Sequence, residues 1–329
     1  MLFFIELYGN FKINIIHPNS MEKMLISGGN GFLGSHLADK AISEGIDVTV
    51  IDDFSTSNRI NLSSDTRIIR ERVEDANITG NFDCIVHLAA RPSPEDYINN
   101  PVETLMSNSV GTMKLLDISR RGKSRFIYAS SSEVYGNAEI LPTPETYYGY
   151  VSSSGIRSCY DEGKRYSEAL TMAYHRKYGL DIRIQRPFNV YGPRIRSDGL
   201  YGRVVPRFME QALKNDDITI HGNGMQTRSF LFVDDWLDAT WHLINMDGID
   251  GEIFNIGSPD EITILDLAYT IVKMAKSSSK IVHIEERKDD PKRRSADISK
   301  AGTMLGWKPN TDLNDGLSET MEWLKREMQ

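Results

Sequence analysis

The chain is poor in cysteine, in long apolar runs and in surplus positive charge. Its two cysteines, Cys84 and Cys159, supply neither a disulfide framework nor metal-ligand spacing. Cys84 lies in an apolar run and reads as a small buried residue, and both cysteines suit a reducing compartment. Thirty-eight Lys and Arg against 46 Asp and Glu leave a net charge of −8, which argues against nucleic acid or an anionic membrane as partner. The apolar start Met1-Leu2-Phe3-Phe4-Ile5 is interrupted by Glu6 and Lys12 and lacks an early basic region. It therefore reads as neither a signal peptide nor a membrane span. Met21 stands just before the first clear strand, so residues 1–20 read as an N-terminal extension, with an extra strand or interface arm as the sharper alternative. With no targeting segment, a cytoplasmic site is the default. Internal repeats, low-complexity segments and long linkers are also missing. The 329 residues suffice for one large or two modest domains with a real core.

What is present alternates between strand and helix. Lys23 to Ser27 reads as a short buried strand, followed by Gly28-Gly29-Asn30-Gly31-Phe32-Leu33-Gly34 and a helical pattern from Ser35 to Glu44. The next strand, Val48 to Ile51, ends at Asp52-Asp53. Strand, glycine-rich turn, helix, strand and acid are the order of a dinucleotide-binding unit. The turn lets backbone N–H groups and the helix N-terminus approach a pyrophosphate. Asp52 can accept from both adenosine ribose hydroxyls, which favours NAD over a 2′-phosphorylated cofactor. Arg59, downstream, reads as a solvated loop residue.

Asp83 to Ala90 reads as a buried strand whose small terminal residues Leu88-Ala89-Ala90 suit a close cofactor. His87, inside it, reads as a hydrogen-bonded core histidine. Further elements are a helix from Asn100 to Arg121 with Asn108 facing inward, a strand from Arg125 to Ser130, a helix from Arg157 to Tyr178 and a strand from Leu180 to Arg186. Beyond Pro187 come helices at Val204–Lys214, Asp234–Met246 and Ile264–Lys276, short strands, and two surface helices ending near Met328. The expected fold is α/β, a doubly wound parallel Rossmann sheet with a smaller C-terminal substrate lobe. The NAD-binding domain takes residues 21–186 with a return segment at 229–256, and the substrate lobe takes 187–228 and 257–329.

Two clusters carry the chemistry. Tyr160 and Lys164, four apart, share a helix face. An ammonium there is expected to lower the phenol's pKa, so that the phenol can take a proton near neutral pH. Ser131-Ser132-Glu133 sits at the carboxyl end of a strand, the edge where ligands lie in open α/β sheets.

These residues resemble the extended short-chain dehydrogenase/reductases that act on nucleotide sugars. The likeness rests on Gly28-x-x-Gly31-x-x-Gly34, Asp52, His87-Leu88-Ala89-Ala90, Glu133-Val134-Tyr135-Gly136, Tyr160-x-x-x-Lys164 and Arg186 to Arg194. It runs from about Lys23 to Lys325. Within that group the chain is most similar to the UDP-glucuronic acid decarboxylase (UDP-xylose synthase) family. Gly155 to Arg165, Gly202-Arg203-Val204-Val205, Gln226 to Phe230 and Asp289-Asp290-Pro291-Lys292-Arg293-Arg294 carry that likeness. The chain departs from the family at Ser152 and Ser153-Ser154, and near Glu71-Arg72, where many relatives hold an Asp against adenine.

The resemblance implies NAD as cofactor, a UDP-sugar substrate, no metal and a homodimer. It implies oxidation at the sugar C4, with Tyr160 as base, Lys164 supporting the phenolate and Ser131 placing the C4 oxygen. Arg228 would hold a substrate carboxylate or enolate, and Glu133 would manage the proton at C5. Ser132 stands where a 4,6-dehydratase has its acid, which argues against dehydration, and Glu133 argues less strongly against 4-epimerisation. Cofactor contacts are expected from Gly28, Gly31, Phe32, Leu33, Gly34, Asp52, Asp53, Leu88, Ala89, Ala90 and Asn108, with Tyr160 and Lys164. Substrate contacts are expected from Ser93, Tyr97, Glu133, Asn189, Arg194, Arg203, Val204, His221, Gln226, Arg228 and Arg294, with one Arg of the 293–294 pair reaching the diphosphate.

Overall fold

A computed structural model describes residues 21–56, 60–197, 203–286 and 292–329. The expectations for residues 1–20, Arg59, Gly202 and Asp289-Asp290-Pro291 lie outside the described residues. The N-terminal half alternates β1 (Lys23–Ser27), α1 (Phe32–Ser43), β2 (Asp47–Ile51), β3 (Arg67–Ile69), β4 (Cys84–His87), α2 (Pro94–Asn99), α3 (Pro101–Met106), α4 (Thr112–Gly122), β5 (Arg125–Ala129), α5 (Ser158–Tyr178) and β6 (Ile182–Pro187). Then come β7 (Val190–Tyr191), α6 (Val204–Lys214), β8 (Ile218–His221), β9 (Thr227–Ser229), β10 (Leu231–Phe232), α7 (Val233–Asn245), β11 (Glu252–Ile256), β12 (Glu261–Thr263), α8 (Ile264–Ala275), β13 (Ile281–Ile284), β14 (Arg293–Arg294), α9 (Ser299–Leu305) and α10 (Leu313–Glu327).

The main sheet has seven strands in the order β11-β6-β5-β4-β1-β2-β3, every pair parallel. Its strands are apolar on both faces, as a sheet covered by helices on each side requires. Met24, Ile26, Val48, Cys84, Val86 and Ile127 face one core, with α1, α6, α7 and α8. Leu25, Ile85, Phe126, Tyr128 and Ile184 face the other, with Leu115 and Leu116 of α4. The alternation is the two-residue period of a strand, read on both faces at once.

Short strands outside the main sheet pair among themselves. β13 pairs with β8, and β12 and β14 flank β9. Caps mark the helix ends: Thr263 Oγ1 accepts from the Asp266 N–H at 3.0 Å, and Asp312 Oδ1 accepts from Asn314 N–H at 2.8 Å, each satisfying an orphan donor. α5 ends at Gly179, whose φ of +63° is left-handed.

Three differences from the sequence reading have physical causes. The helix expected over Asn100–Arg121 is two helices joined by a π-turn at Ser107–Gly111. That turn brings buried Asn108 against Gly163 of α5, where an added Cβ would lie 3.2 Å from the Asn108 Cβ. The strand expected to run to Ala90 stops at His87, since Leu88, Ala89 and Ala90 leave the ladder to line the cleft. The three-residue edge strand β3 is too short and too exposed to show a period.

Candidate active site

A cleft runs along the carboxyl edge of the sheet. Gly28, Gly31, Phe32, Leu33 and Gly34 line its floor, Asp52 and Asp53 one end, and Leu88, Ala89, Ala90 and Ser93 a wall. Tyr160, Lys164, Arg194 and Arg203 line the other end. The glycines are sterically required. Gly28 has φ +72°, and a Cβ there would stand 2.7 Å from the Ala89 nitrogen. A Cβ on Gly34 would come within 2.2 Å of the Gly28 carbonyl oxygen. Burial raises the Asp52 pKa, while its carboxylate accepts N–H bonds from Asn30 at 2.9 Å and Phe54 at 2.8 Å. A side-chain-free turn at a helix N-terminus, with an acid at the tip of the next strand, fits a dinucleotide.

At the other end the 3₁₀ turn Ser132–Tyr135 follows β5. Ser131 Oγ accepts from the Glu133 N–H at 3.3 Å and hydrogen-bonds the Tyr160 phenol. Tyr160 stacks on Tyr97, ring centroids 5.5 Å apart and nearly parallel at 15°. Lys164 Nζ donates to the Ala129 carbonyl at 2.8 Å and lies 5.8 Å from the Tyr160 ring centroid. Ser132 is buried beside them.

The expected drop in the Tyr160 pKa is absent. Burial pushes the phenol up to about 12, opposed first by the Ser131 hydrogen bond and then by Arg203. Burial also drives Lys164 down to about 7. Both groups lose their charged forms to desolvation, because the ammonium is held to a backbone carbonyl and not to the phenol oxygen.

Glu133 is the centre of a charge cluster. Arg157 Nη2 and Arg294 Nη1 each donate to its carboxylate. The two guanidiniums, Arg294 foremost, hold Glu133 down to about 2 against the opposing effect of burial. Asp161 lies 3.5 Å from Arg157 Nε. Burial, and then the Glu133 charge, raise its pKa to about 7. Arg228 and Arg294 are register partners on β9 and β14, and both are buried. Arg228, the arginine expected to hold substrate, donates to the Thr227 carbonyl at 2.8 Å, and its charge helps to lower the Glu133 pKa. Arg294, expected near the diphosphate, is the one that touches Glu133. Strand pairing between segments more than 60 residues apart decides this. Asp161 was the missed member, although its i,i+4 spacing from Arg157 was visible.

Other expected residues also make contacts within the protein. Asn108 Nδ2 donates to the Thr104 carbonyl at 2.9 Å. Asn189 Nδ2 donates to Ser229 O at 2.8 Å. Arg194 pairs with Asp39 at 2.6 Å, and Arg203 Nη1 donates to Val190 O at 3.4 Å. Val204 opens α6. Gln226 Nε2 donates to His221 O at 3.0 Å, and the His221 ring meets the Glu285 carbonyl at 2.9 Å. His221 and Gln226 are not among the residues lining the cleft, and neither are Tyr97, Asn108, Glu133, Asn189, Val204, Arg228 and Arg294. His87 lies between Ser27 Oγ at 2.7 Å and Thr112 Oγ1 at 3.0 Å, and burial lowers it to about 3. It is a neutral core histidine. Among the described residues, no group of three or more His, Cys, Asp or Glu could hold a metal ion, and no helix is long and apolar enough to cross a membrane.

The chain is 44% identical over 301 residues to UDP-glucuronic acid decarboxylase 3 of Arabidopsis thaliana, covering 90% of this chain and 86% of that one. It is 39% identical over 323 residues to UDP-glucuronic acid decarboxylase 1 of Danio rerio, covering 96% and 76%. The crystal structure of UDP-glucuronic acid 4-epimerase from Bacillus cereus, in complex with UDP-glucuronic acid and NAD, matches with a TM-score of 0.80 at 30% identity over 93% of this chain and 99% of that one. The family model for the NAD dependent epimerase/dehydratase family matches residues 24–257, and with the cleft and its glycine turn in place the chain belongs to that family.

Proposed function

We propose that the chain is an NAD-dependent UDP-glucuronate decarboxylase that forms UDP-xylose through a 4-keto sugar. The observation that carries the reading is the arginine cluster next to Tyr160, where Arg157 and Arg294 grip Glu133 and Arg228 stands in register with Arg294. Such a cluster suits a sugar that brings its own carboxylate, since guanidinium and carboxylate pair through two parallel hydrogen bonds. The identity to curated decarboxylases points the same way.

NAD, when bound, supplies the hydride acceptor and donor at C4 together with a positive nicotinamide ring. Tyr160 takes and returns the C4 hydroxyl proton, and added positive charge brings its phenol down from about 12. Ser131 orients that oxygen. Arg228 and Arg294 hold the carboxylate and stabilise negative charge as CO₂ leaves. Glu133, held ionised near 2, keeps no proton at neutral pH. Its first role is to orient Arg157 and Arg294, and a water beside it relays a proton from bulk solvent to C5 of the enolate. Ser132 offers no acid for dehydration.

The helices α2 to α5 expose Val102, Leu105, Met106, Met113 and Tyr166, which supports a homodimer packed through them. The second reading is a 4-epimerase of UDP-glucuronate, favoured by the epimerase match with that sugar bound. Incubation with UDP-glucuronate, UDP-glucose and UDP-N-acetylglucosamine plus NAD⁺, followed by NMR, decides between them. We expect CO₂ and a UDP-pentose from UDP-glucuronate alone. A 4-epimer of glucuronate without CO₂ would overturn the decarboxylase.

A further inference from the structure

We propose that Asp53 sets cofactor preference by masking a latent 2′-phosphate site made by Arg72 and Arg91. The inference rests on the NAD reading of the cleft and adds a discriminating residue to it. Asp53 Oδ2 lies 3.7 Å from Arg72 Nε and 3.7 Å from Arg91 Nη2. Its other oxygen, Oδ1, accepts from the Ser55 hydroxyl at 2.6 Å and the Ser55 N–H at 3.0 Å. Arg91 Nη2 in turn donates to Ser55 Oγ at 2.9 Å. Its Nη1 lies 3.6 Å from Asp96 Oδ1, so the guanidinium is held from both sides. The Arg91 side chain is only 11% exposed. All of these residues line the cleft beside Asp52.

Two guanidiniums and a hydroxyl converging on one point are the groups that bind a phosphate monoester. Here a carboxylate occupies that point. An adenosine ribose ending in a 2′-hydroxyl brings no charge and leaves the pairs intact. A 2′-phosphate brings close to two negative charges, which meet Asp53 before they meet the arginines. Asparagine at 53 keeps the Oδ1 acceptor for Ser55, and with it the frame, while removing the charge. Asp52 remains and prefers a hydroxyl donor, so the change narrows the preference without inverting it.

The test is calorimetric titration of the full chain with NAD⁺ and NADP⁺ after removal of carried-over dinucleotide. For the wild-type protein we expect NADP⁺ to bind at least tenfold more weakly than NAD⁺. Asp53→Asn should cut that ratio at least threefold, but not below one, through tighter NADP⁺ binding, and adding Arg91→Met or Arg72→Met should reverse the gain. Thermal unfolding confirms that each variant folds. An unchanged ratio in Asp53→Asn, or equal weakening of both dinucleotides, overturns the inference while leaving the NAD site standing. Failure of the wild-type protein to bind NAD⁺ overturns the underlying reading as well.

Discussion

Glu133→Gln removes one negative charge from the cluster and almost no volume. It leaves Arg157 and Arg294, with side chains 28% and 9% exposed, facing an amide. Breaking a fully buried charge pair costs about 3–5 kcal/mol. The Glu133 side chain is 20% exposed, so solvent screening brings the figure to about 2–3 kcal/mol. For a chain of this length about 2 °C of melting temperature follows each kcal/mol, a drop of about 4–6 °C at pH 7. The pH dependence makes the assignment specific. The folded-state pKa of Glu133, near 2, lies below its ordinary 4.5. Its contribution is therefore complete above 4.5 and is lost as pH falls towards 2. The gap between wild type and variant in scanning calorimetry should be widest at neutral pH and shrink below pH 4.5. In turnover, NAD⁺ reduction should survive better than pentose formation. A melting temperature within 1 °C of wild type at pH 7, with no change in the acid limb, would refute the clamp.

Asp161→Asn should stabilise the protein at pH 8 and not at pH 3. The folded pKa, raised to about 7 from 3.8, means the folded state holds the extra proton between those values and loses stability as pH rises through them. Melting curves at both pH values check it. Tyr160→Phe should lower kcat by about 10²–10⁴-fold, the usual size of general acid–base catalysis, with NAD⁺ affinity measured alongside to show an intact cleft. Gly34→Ala should abolish dinucleotide binding in titration, because the new Cβ would lie 2.2 Å from the Gly28 oxygen and 2.6 Å from the Gly29 Cα.

Much of the fold was legible because its signals are local. Contiguous apolar runs marked β1, β2, β4 and β5, and the α6 bounds matched those observed, Val204–Lys214, because an amphipathic period is a property of the segment itself. The two-residue strands β7, β10 and β14 carry no period, since pairing with a distant partner is what makes them strands. The π-turn at Ser107–Gly111 escaped for a similar reason. It answers the packing of α5 against Asn108, not a residue pattern in its own stretch.

The sequence by itself determined the glycine turn followed by Asp52, and the shared helix face of Tyr160 and Lys164, because strand-turn-helix order and i,i+4 spacing are written within one continuous stretch. Tertiary structure decided the electrostatics. Which arginine grips Glu133 depends on β14 lying beside β9. The upward shift of Tyr160 and the downward shift of Lys164 depend on burial by elements from across the chain. Desolvation and strand pairing are sums over neighbours far apart in sequence, and spacing along one helix does not contain them.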